Sequence, residues 1–397
     1  METILAILNI AWVTIGILLC VIVFAEVGVD AIRRRIRKLR YGDQGKLVYS
    51  ALADSYRDQD WTYDFFHESM ENTRSSWAPY VHWWLTPYRG RLITINEQGL
   101  RPTWQPPTDA GSAEKQRLYV FGGSTAFGAG AREEWTIPSL LAKRLFEHGL
   151  DVEIVNFGQP GHASTQEVIT FIERLKTRPV PDLAIFYDGL NEVIHAEATG
   201  RAGGLFKEEN RRQEFNLLSP DRKQDLVREA IGALTPRTRR RLDGLAKIFG
   251  RGQRRDTDYV RFSAQDIPKL SHDIMQYYAE NVANIRAIAR DRGITVQFVL
   301  QPSLFGKKSM TEHEEKYMFE GAAAPELRVP LFEAAYDAWR QNPLITGHGD
   351  AIDLGGLLDD RAEGLFCDPF HLVEAGNDIV AEALFPDVVK ALKPAAC

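Results

Sequence analysis

The sequence has few cysteines and no excess of positive charge. Three cysteines occur among 397 residues, and one of them, Cys20, lies in an apolar N-terminal segment, so their number defines no disulfide framework. The formal net charge is −6, whereas nucleic-acid-binding domains are usually basic. No GxxxxGK[ST], HExxH or CxxC motif occurs, which gives no indication of a phosphate-binding loop or a zinc site. The composition, 44% hydrophobic and 26% charged, is typical of a folded globular protein.

The N-terminal segment is a long apolar run. Residues 4–25 contain no charged side chain, and a helix of that length rises about 33 Å, enough to cross a hydrocarbon core of about 30 Å. A cleaved signal peptide is the alternative, because residues 23–25 loosely resemble a cleavage site. The run is long for a signal peptide, however, and no Lys or Arg precedes it. We therefore predict a retained transmembrane anchor over residues 1–26 and a single-pass location in the cell membrane.

Basic residues follow this segment. They are Arg33, Arg34, Arg35, Arg37, Lys38 and Arg40. The positive-inside bias would place the rest of the chain in the cytoplasm.

Residues 27–114 are predicted to form a juxtamembrane helix and an aromatic-rich region. Nine of the 28 residues from Trp61 to Tyr88 are aromatic. We expect this region to pack onto the main core, because large aromatic side chains dominate burial. A sugar-stacking or membrane-interface surface is the alternative. A proline-rich break at residues 102–107 ends the region.

From residue 115 onward, short apolar runs alternate with amphipathic stretches. The runs span residues 118–123, 152–157, 183–189, 295–300 and 351–354. Near-continuous apolar runs are typical of parallel strands that are covered on both faces. The alternation predicts a three-layer α/β/α sandwich with a parallel sheet over residues 115–397. Catalytic groups in such folds lie at the carboxyl ends of the strands.

A basic insertion interrupts this pattern at about residues 195–270. Positions 237–255 carry eight Lys or Arg residues against one acid, Asp243. A solvated surface segment is one interpretation. The other is contact with anionic lipid headgroups.

The ends of the first three predicted strands carry candidate catalytic groups. Ser124 follows two glycines, at a strand-to-helix turn that would expose its hydroxyl. Gly158 lies in the N-x-G-x-x-G stretch 156–161, and Asn191 follows the third strand. The N–H groups of Ser124 and Gly158 and the amide of Asn191 would together form an oxyanion hole.

Asp368 and His371 stand near the C-terminus at a spacing of three residues. At this spacing the carboxylate can accept a hydrogen bond from imidazole Nδ1, leaving Nε2 to act as a base toward a serine.

These four blocks, in this order, resemble those of the SGNH hydrolase (GDSL-like esterase/lipase) superfamily, and the resemblance covers about residues 115–390. GGST replaces the usual GDSL, and residues 189–192 read GLNE in place of GxND. The resemblance implies that Ser124 is the nucleophile, His371 the general base and Asp368 its orienting partner. It also implies that Gly158 and Asn191 contribute to the oxyanion hole.

The predicted function is that of a serine esterase that hydrolyses acyl or acetyl esters through an acyl-enzyme, without metal or organic cofactor. An O-acyltransferase acting on envelope glycans is one alternative. An inactive membrane-tethered binding or assembly module is another, although Ser124 and His371 are both present. The expected partner is an ester of a lipid or glycan, not a nucleic acid. Anchored members of the superfamily resemble exported enzymes, which places the domain outside the cell, against the charge bias.

Overall fold

A computed structural model describes five main parts of the chain. They are residues 53–69, 74–106, 115–206, 262–322 and 324–392, with scattered positions between 10 and 28 and between 208 and 212. Only scattered positions of the predicted span 4–25 are described, none of them before residue 10, and the basic segment 237–255 lies wholly outside the described residues. No helix within the described ranges is long and apolar enough to cross a membrane.

The chain divides into two units. One comprises residues 1–46 and 207–258, and the other comprises residues 47–206 and 259–397. The second unit contains nearly all of the described residues and every candidate site residue.

The described part of the second unit begins with a segment, residues 53–106, whose described residues (53–69 and 74–106) include one short helix and two hairpins. Its elements are α1 (Thr62–His67), β1 (Ser75–Ala78), β2 (His82–Leu85), β3 (Tyr88–Arg89) and β4 (Thr94–Ile95). Phe65 and Phe66 are buried in a cluster that includes Cys367, whereas Trp77 and Tyr80 are 66% and 75% exposed. The aromatic residues of this segment thus divide between packing onto the main core and facing solvent.

Five of the described strands form one parallel sheet in the order β6-β5-β7-β8-β9. They are β5 (Gln116–Gly122), β6 (Val152–Asn156), β7 (Leu183–Asp188), β8 (Thr295–Leu300) and β9 (Ala351–Asp353). Every residue of the central strand β7 is buried, as expected for a parallel strand covered on both faces. The predicted α/β fold with a parallel sheet is confirmed.

Helices follow the strands in sequence. They are α2 (Ser124–Phe127), α3 (Ile137–Glu147), α4 (Ser164–Thr177), α5 (Leu190–Thr199), α6 (Ile267–Arg292), α7 (Glu312–Tyr317), α8 (Pro325–Gln341), α9 (Pro343–Thr346) and α10 (Glu374–Ala391). The start of α3 illustrates how local sequence sets a boundary. The Thr136 hydroxyl accepts a hydrogen bond from the Ser139 N–H, and Pro138 occupies the first turn.

Hydrophobic side chains cover both faces of the sheet. Phe121, Phe186 and Phe298 stack on one face, with neighbouring ring centroids 4.9 and 5.5 Å apart, and join a cluster with α6 and α8. The opposite face carries Val120 and Ile185 in a cluster with α3 and α10. Alternate residues of each strand point to opposite faces of the sheet, so both faces are covered. Because the strands are parallel, their carboxyl ends lie along the same edge of the sheet.

Candidate active site

Ser124, His371 and Asp368 form one hydrogen-bonded chain at this edge. The Ser124 Oγ lies 2.7 Å from His371 Nε2, although the two residues are 247 positions apart. The opposite ring nitrogen, Nδ1, lies 2.6 Å from Asp368 Oδ2. With Nδ1–H donating to Asp368, Nε2 can accept the Ser124 hydroxyl proton.

Backbone N–H groups of the turn 368–371 bind the Asp368 side chain. Asp368 Oδ1 accepts hydrogen bonds from the N–H groups of Phe370 and His371, both at 2.8 Å. Aspartate commonly accepts such bonds from the backbone two residues on. One carboxyl oxygen therefore orders the turn, while the other orients the imidazole.

Charge and hydrogen bonding outweigh burial at both titrating groups. Burial raises the pKa of Asp368, but the charge of His371 and the hydrogen bonds from His371 and Phe370 outweigh it and leave that pKa below its ordinary value. Burial lowers the pKa of His371, but the charge and hydrogen bond of Asp368 outweigh it and raise that pKa. The two groups thus stabilise each other as a carboxylate and a protonated imidazole.

Asn191 lies beside the candidate nucleophile. Its Nδ2 donates a hydrogen bond to the His162 carbonyl at 2.5 Å, and a Cβ built on Gly123 would come within 2.1 Å of the same nitrogen. A side chain at position 123 would therefore collide with the amide, which gives a reason for glycine there. An amide nitrogen carries two hydrogens, so one remains for a substrate.

The predicted role of Gly158 is corrected by the structure. The sequence assigned its N–H to the oxyanion hole, but this group donates to Asn156 Oδ1 at 2.9 Å. Asn156 in turn donates through Nδ2 to the Ala126 carbonyl at 2.9 Å. The Gly158 N–H is therefore linked through the Asn156 side chain to the backbone of α2. Three residues on, the N–H of Gly161 has no partner among the described residues. The motif contains both glycines, and the side chain of Asn156 decides which N–H is engaged.

Two further polar residues, Glu192 and His162, lie next to the stretch 156–161 that contains Gly158 and Gly161. Glu192, which stands where the family has aspartate, accepts hydrogen bonds from the N–H groups of Ser164 at 2.7 Å and Gly189 at 3.2 Å. His162 Nε2 lies 3.0 Å from the Trp83 carbonyl, and burial lowers the pKa of His162 to about 4. His162 is thus a neutral buried histidine.

Within the described part of the chain, no group of three His, Cys, Asp or Glu side chains is placed to hold a metal ion.

A comparison with protein families agrees with this geometry. Residues 118–384 match the family described as GDSL-like Lipase/Acylhydrolase. The chain belongs to this family. The match runs from β5 into α10 and includes Ser124, Asn191, Asp368 and His371. Membership in the GDSL-like acylhydrolases supports an ester-hydrolysing function.

Comparisons with other proteins add little. No match was found among curated proteins. Solved structures similar to this GDSL-like acylhydrolase include a carbohydrate acetylesterase family member from Sinorhizobium meliloti, with 13% identity and a TM-score of 0.38 over 70% of this chain and 99% of the other. Another is TesA, with 15% identity and a TM-score of 0.36 over 70% and 100%. Likenesses at this level carry no weight for function.

Proposed function

We propose that this GDSL-like acylhydrolase is a serine esterase that cleaves carboxylic esters through an acyl-enzyme. The observation that carries the proposal is the continuous chain from Ser124 Oγ through the His371 ring to the Asp368 carboxylate. A nucleophile, a base and a group that orients the base are the parts that acyl transfer by serine requires.

In the first half of the reaction, Ser124 Oγ attacks the ester carbonyl carbon while His371 Nε2 accepts the hydroxyl proton. The charge of Asp368 stabilises the imidazolium, which then gives its proton to the departing alcohol oxygen. In the second half, His371 takes a proton from water, the resulting hydroxide attacks the acyl carbon, and Ser124 Oγ leaves with that proton. The products are one alcohol and one carboxylic acid.

The oxyanion would be bound by the Ser124 N–H, the free hydrogen of the Asn191 amide and the Gly161 N–H. Ser124 is the first residue of α2, so its N–H has no acceptor within the helix. Gly161 replaces Gly158 in this set because the Gly158 N–H is already engaged. Each donor of this kind contributes about 3–4 kcal/mol to the transition state. Asn191→Ala should therefore lower kcat by about 10²–10³-fold.

The nucleophile is tested by substitution and by covalent trapping. Ser124→Ala should abolish hydrolysis of p-nitrophenyl acetate, and His371→Ala should match it within roughly tenfold because members of a catalytic unit are not additive. A fluorophosphonate should add one phosphonyl group to the parent enzyme at Ser124. Ser76→Ala, at an exposed serine of β1, is the control and should retain the parent rate. Substantial turnover by Ser124→Ala would refute the assignment.

We further propose that residues 4–25 tether the enzyme in the membrane and that residues 237–255 contact anionic headgroups; the support is the sequence alone. Paired C-terminal reporter fusions, one active only inside the cell and one only outside it, would decide the side of the domain and narrow the ester to a cytoplasmic or an envelope lipid or glycan. The chain without the anchor, residues 42–397, should bind anionic vesicles at low salt and release them near 0.5 M salt, roughly where the Debye length falls below about 5 Å. Changing Arg239, Arg240, Arg241, Arg254 and Arg255 of this anchorless chain to glutamine should weaken its binding at low salt.

A further inference from the structure

Two side chains from outside the family match reach the backbone of the candidate site. Tyr56 and Arg101 belong to the segment 53–106, which precedes the matched residues 118–384. Both are buried, at 3% and 1% exposure. Their hydrogen bonds end on main-chain groups next to Ser124 and His371, so they bear on where those two residues are held.

Arg101 binds a set of carbonyl groups. Its guanidinium donates to the carbonyl oxygens of Phe127 at 3.3 Å, Gly128 at 2.6 Å and Ala131 at 2.7 Å. Burial lowers the pKa of Arg101 to about 10, which leaves it charged at neutral pH, and the nearby carboxylate of Glu374 forms its salt bridge with Arg132. A buried cation is a poor source of stability. The contribution of Arg101 is therefore the geometry of the three carbonyl groups that it binds.

The same peptide groups that accept from Arg101 also hold Ser124. The N–H groups of Gly128 and Ala129 donate to the Ser124 carbonyl at 3.0 and 2.9 Å. The Gly128 N–H shares a peptide plane with the Phe127 carbonyl, and the Ala129 N–H shares one with the Gly128 carbonyl. Because peptide groups are planar and rigid, each plane has its oxygen fixed by Arg101 and its N–H fixed on Ser124.

Tyr56 joins the loop that follows Ser124 to the loop that follows His371. Its hydroxyl donates to the Gly130 carbonyl at 2.6 Å and accepts from the Glu374 N–H at 2.7 Å. The two loops touch at Gly130, where a Cβ would lie 2.5 Å from the Leu372 carbonyl oxygen and 3.5 Å from His371 Cβ. One hydroxyl thus bridges the segment that follows Ser124 and the segment that follows His371.

We propose that Arg101 and Tyr56 are positioning residues that set the distance and alignment between Ser124 Oγ and His371 Nε2, a proposal that rests on the proposed esterase function. The catalytic unit then includes the segment 53–106 as well as the part that matches the family. A lysine at position 101 would not substitute, because a single ammonium lacks the planar fork of donors that spans separate carbonyl groups.

The test uses the full chain with Tyr56→Phe, Arg101→Lys and Arg101→Ala, assayed well below the melting temperature of each variant. Steady-state hydrolysis of p-nitrophenyl acetate gives kcat and KM, and a fluorophosphonate gives the rate of covalent labelling at Ser124. Displacement of reacting groups by about 1 Å can cost about 10²-fold. We expect kcat and the labelling rate to fall together, about 10-fold in Tyr56→Phe and about 10²-fold in both Arg101 variants, with KM nearly unchanged.

Two controls separate positioning from general destabilisation. Leu145→Ala removes a buried side chain of α3 and should lower the melting temperature while leaving kcat and the labelling rate unchanged. Tyr63→Phe removes a tyrosine hydroxyl from the same N-terminal segment and should change neither. Methylguanidinium should restore part of kcat to Arg101→Ala and should have no effect on Leu145→Ala.

Parent-like kcat and labelling rates in folded Tyr56→Phe and Arg101→Lys, with only the melting temperature reduced, would overturn the positioning role. That result would leave the esterase proposal intact, because the parent enzyme would be active in the same assays. A parent without Ser124-dependent turnover or labelling would overturn both proposals.

Discussion

Half-buried Asp368 and the fully buried pair Glu167 and Asp188 lie near the carboxyl ends of the central strands, and their carboxyl groups are held in opposite ways. Asp368, whose side chain is 14% exposed, accepts hydrogen bonds from two backbone N–H groups and from His371 Nδ1. Glu167 and Asp188 are 2% and 4% exposed. The carboxyl group of Glu167 interacts with that of Asp188 and has no other hydrogen-bond partner among the described residues, and the Tyr278 hydroxyl approaches Asp188 only to 3.5 Å.

The pKa values of the two groups move in opposite directions for this reason. The pKa of Asp368 lies below its ordinary value, although burial opposes that shift. Burial, and then the charge of Asp188, raises the pKa of Glu167, and burial followed by the charge of Glu192 raises that of Asp188. Burial alone therefore does not decide whether a carboxyl group is charged. The charge and the hydrogen-bond donors that face the carboxyl group decide as well, and Asp368, which has both, is the carboxylate bonded to His371, the proposed base.

The largest expected effect comes from removing the charge of Asp368. Asp368→Asn should lower kcat by about 10²–10⁴-fold, because the amide stabilises the wrong imidazole tautomer and no longer stabilises the imidazolium. The ester assay measures this directly. Asp360→Asn, at an exposed aspartate of the same region, should keep the parent rate, and equal losses in the two variants would break the comparison.

A smaller effect should appear in the pH dependence of the parent enzyme. His371 acts as a base only when it is neutral, and its pKa is raised by Asp368. The value of kcat/KM should therefore increase with pH, with a midpoint above that of an ordinary histidine. In Asp368→Asn the residual activity should have its midpoint at lower pH, because the charge that raises the pKa is gone. A midpoint unchanged by the substitution would show that another group titrates.

The smallest effect on catalysis is expected at Glu167. A raised carboxyl pKa means that the folded state holds its proton more tightly than the unfolded chain. The stabilisation is thus complete below the unfolded-state pKa and is lost as pH rises through the folded-state pKa, by at most about 1.4 kcal/mol per pH unit for each proton. Glu167→Gln should reduce this slope in urea unfolding and change kcat by less than about threefold.

The exposed Glu333 supplies the matched control for that measurement. Glu167→Gln should reduce the slope of unfolding free energy against pH by more than Glu333→Gln does. Equal slopes in the two variants would show that the Glu167–Asp188 pair does not retain a proton on folding.

Local sequence determined the strands and the pairing of His371 with Asp368. Apolar runs such as 183–189 predict β7 because a parallel strand is covered on both faces, so nearly every side chain in it is apolar. Asp368 and His371 could be paired from their spacing because a turn of three residues brings the carboxylate to its own imidazole. Both patterns depend on interactions between residues that are close in the sequence, so they can be predicted from the sequence alone.

Only the tertiary structure decided which distant groups meet. The contact between Ser124 and His371 closes 247 positions, and Asn156 captures the Gly158 N–H only because its own amide bonds the Ala126 carbonyl at the base of α2. Composition predicted that the aromatic segment packs onto the main core, but not that the side chains of Tyr56 and Arg101 bind the loops that follow Ser124 and His371. Such contacts are made to backbone groups, which every residue carries, so no side-chain pattern in the sequence marks their partners.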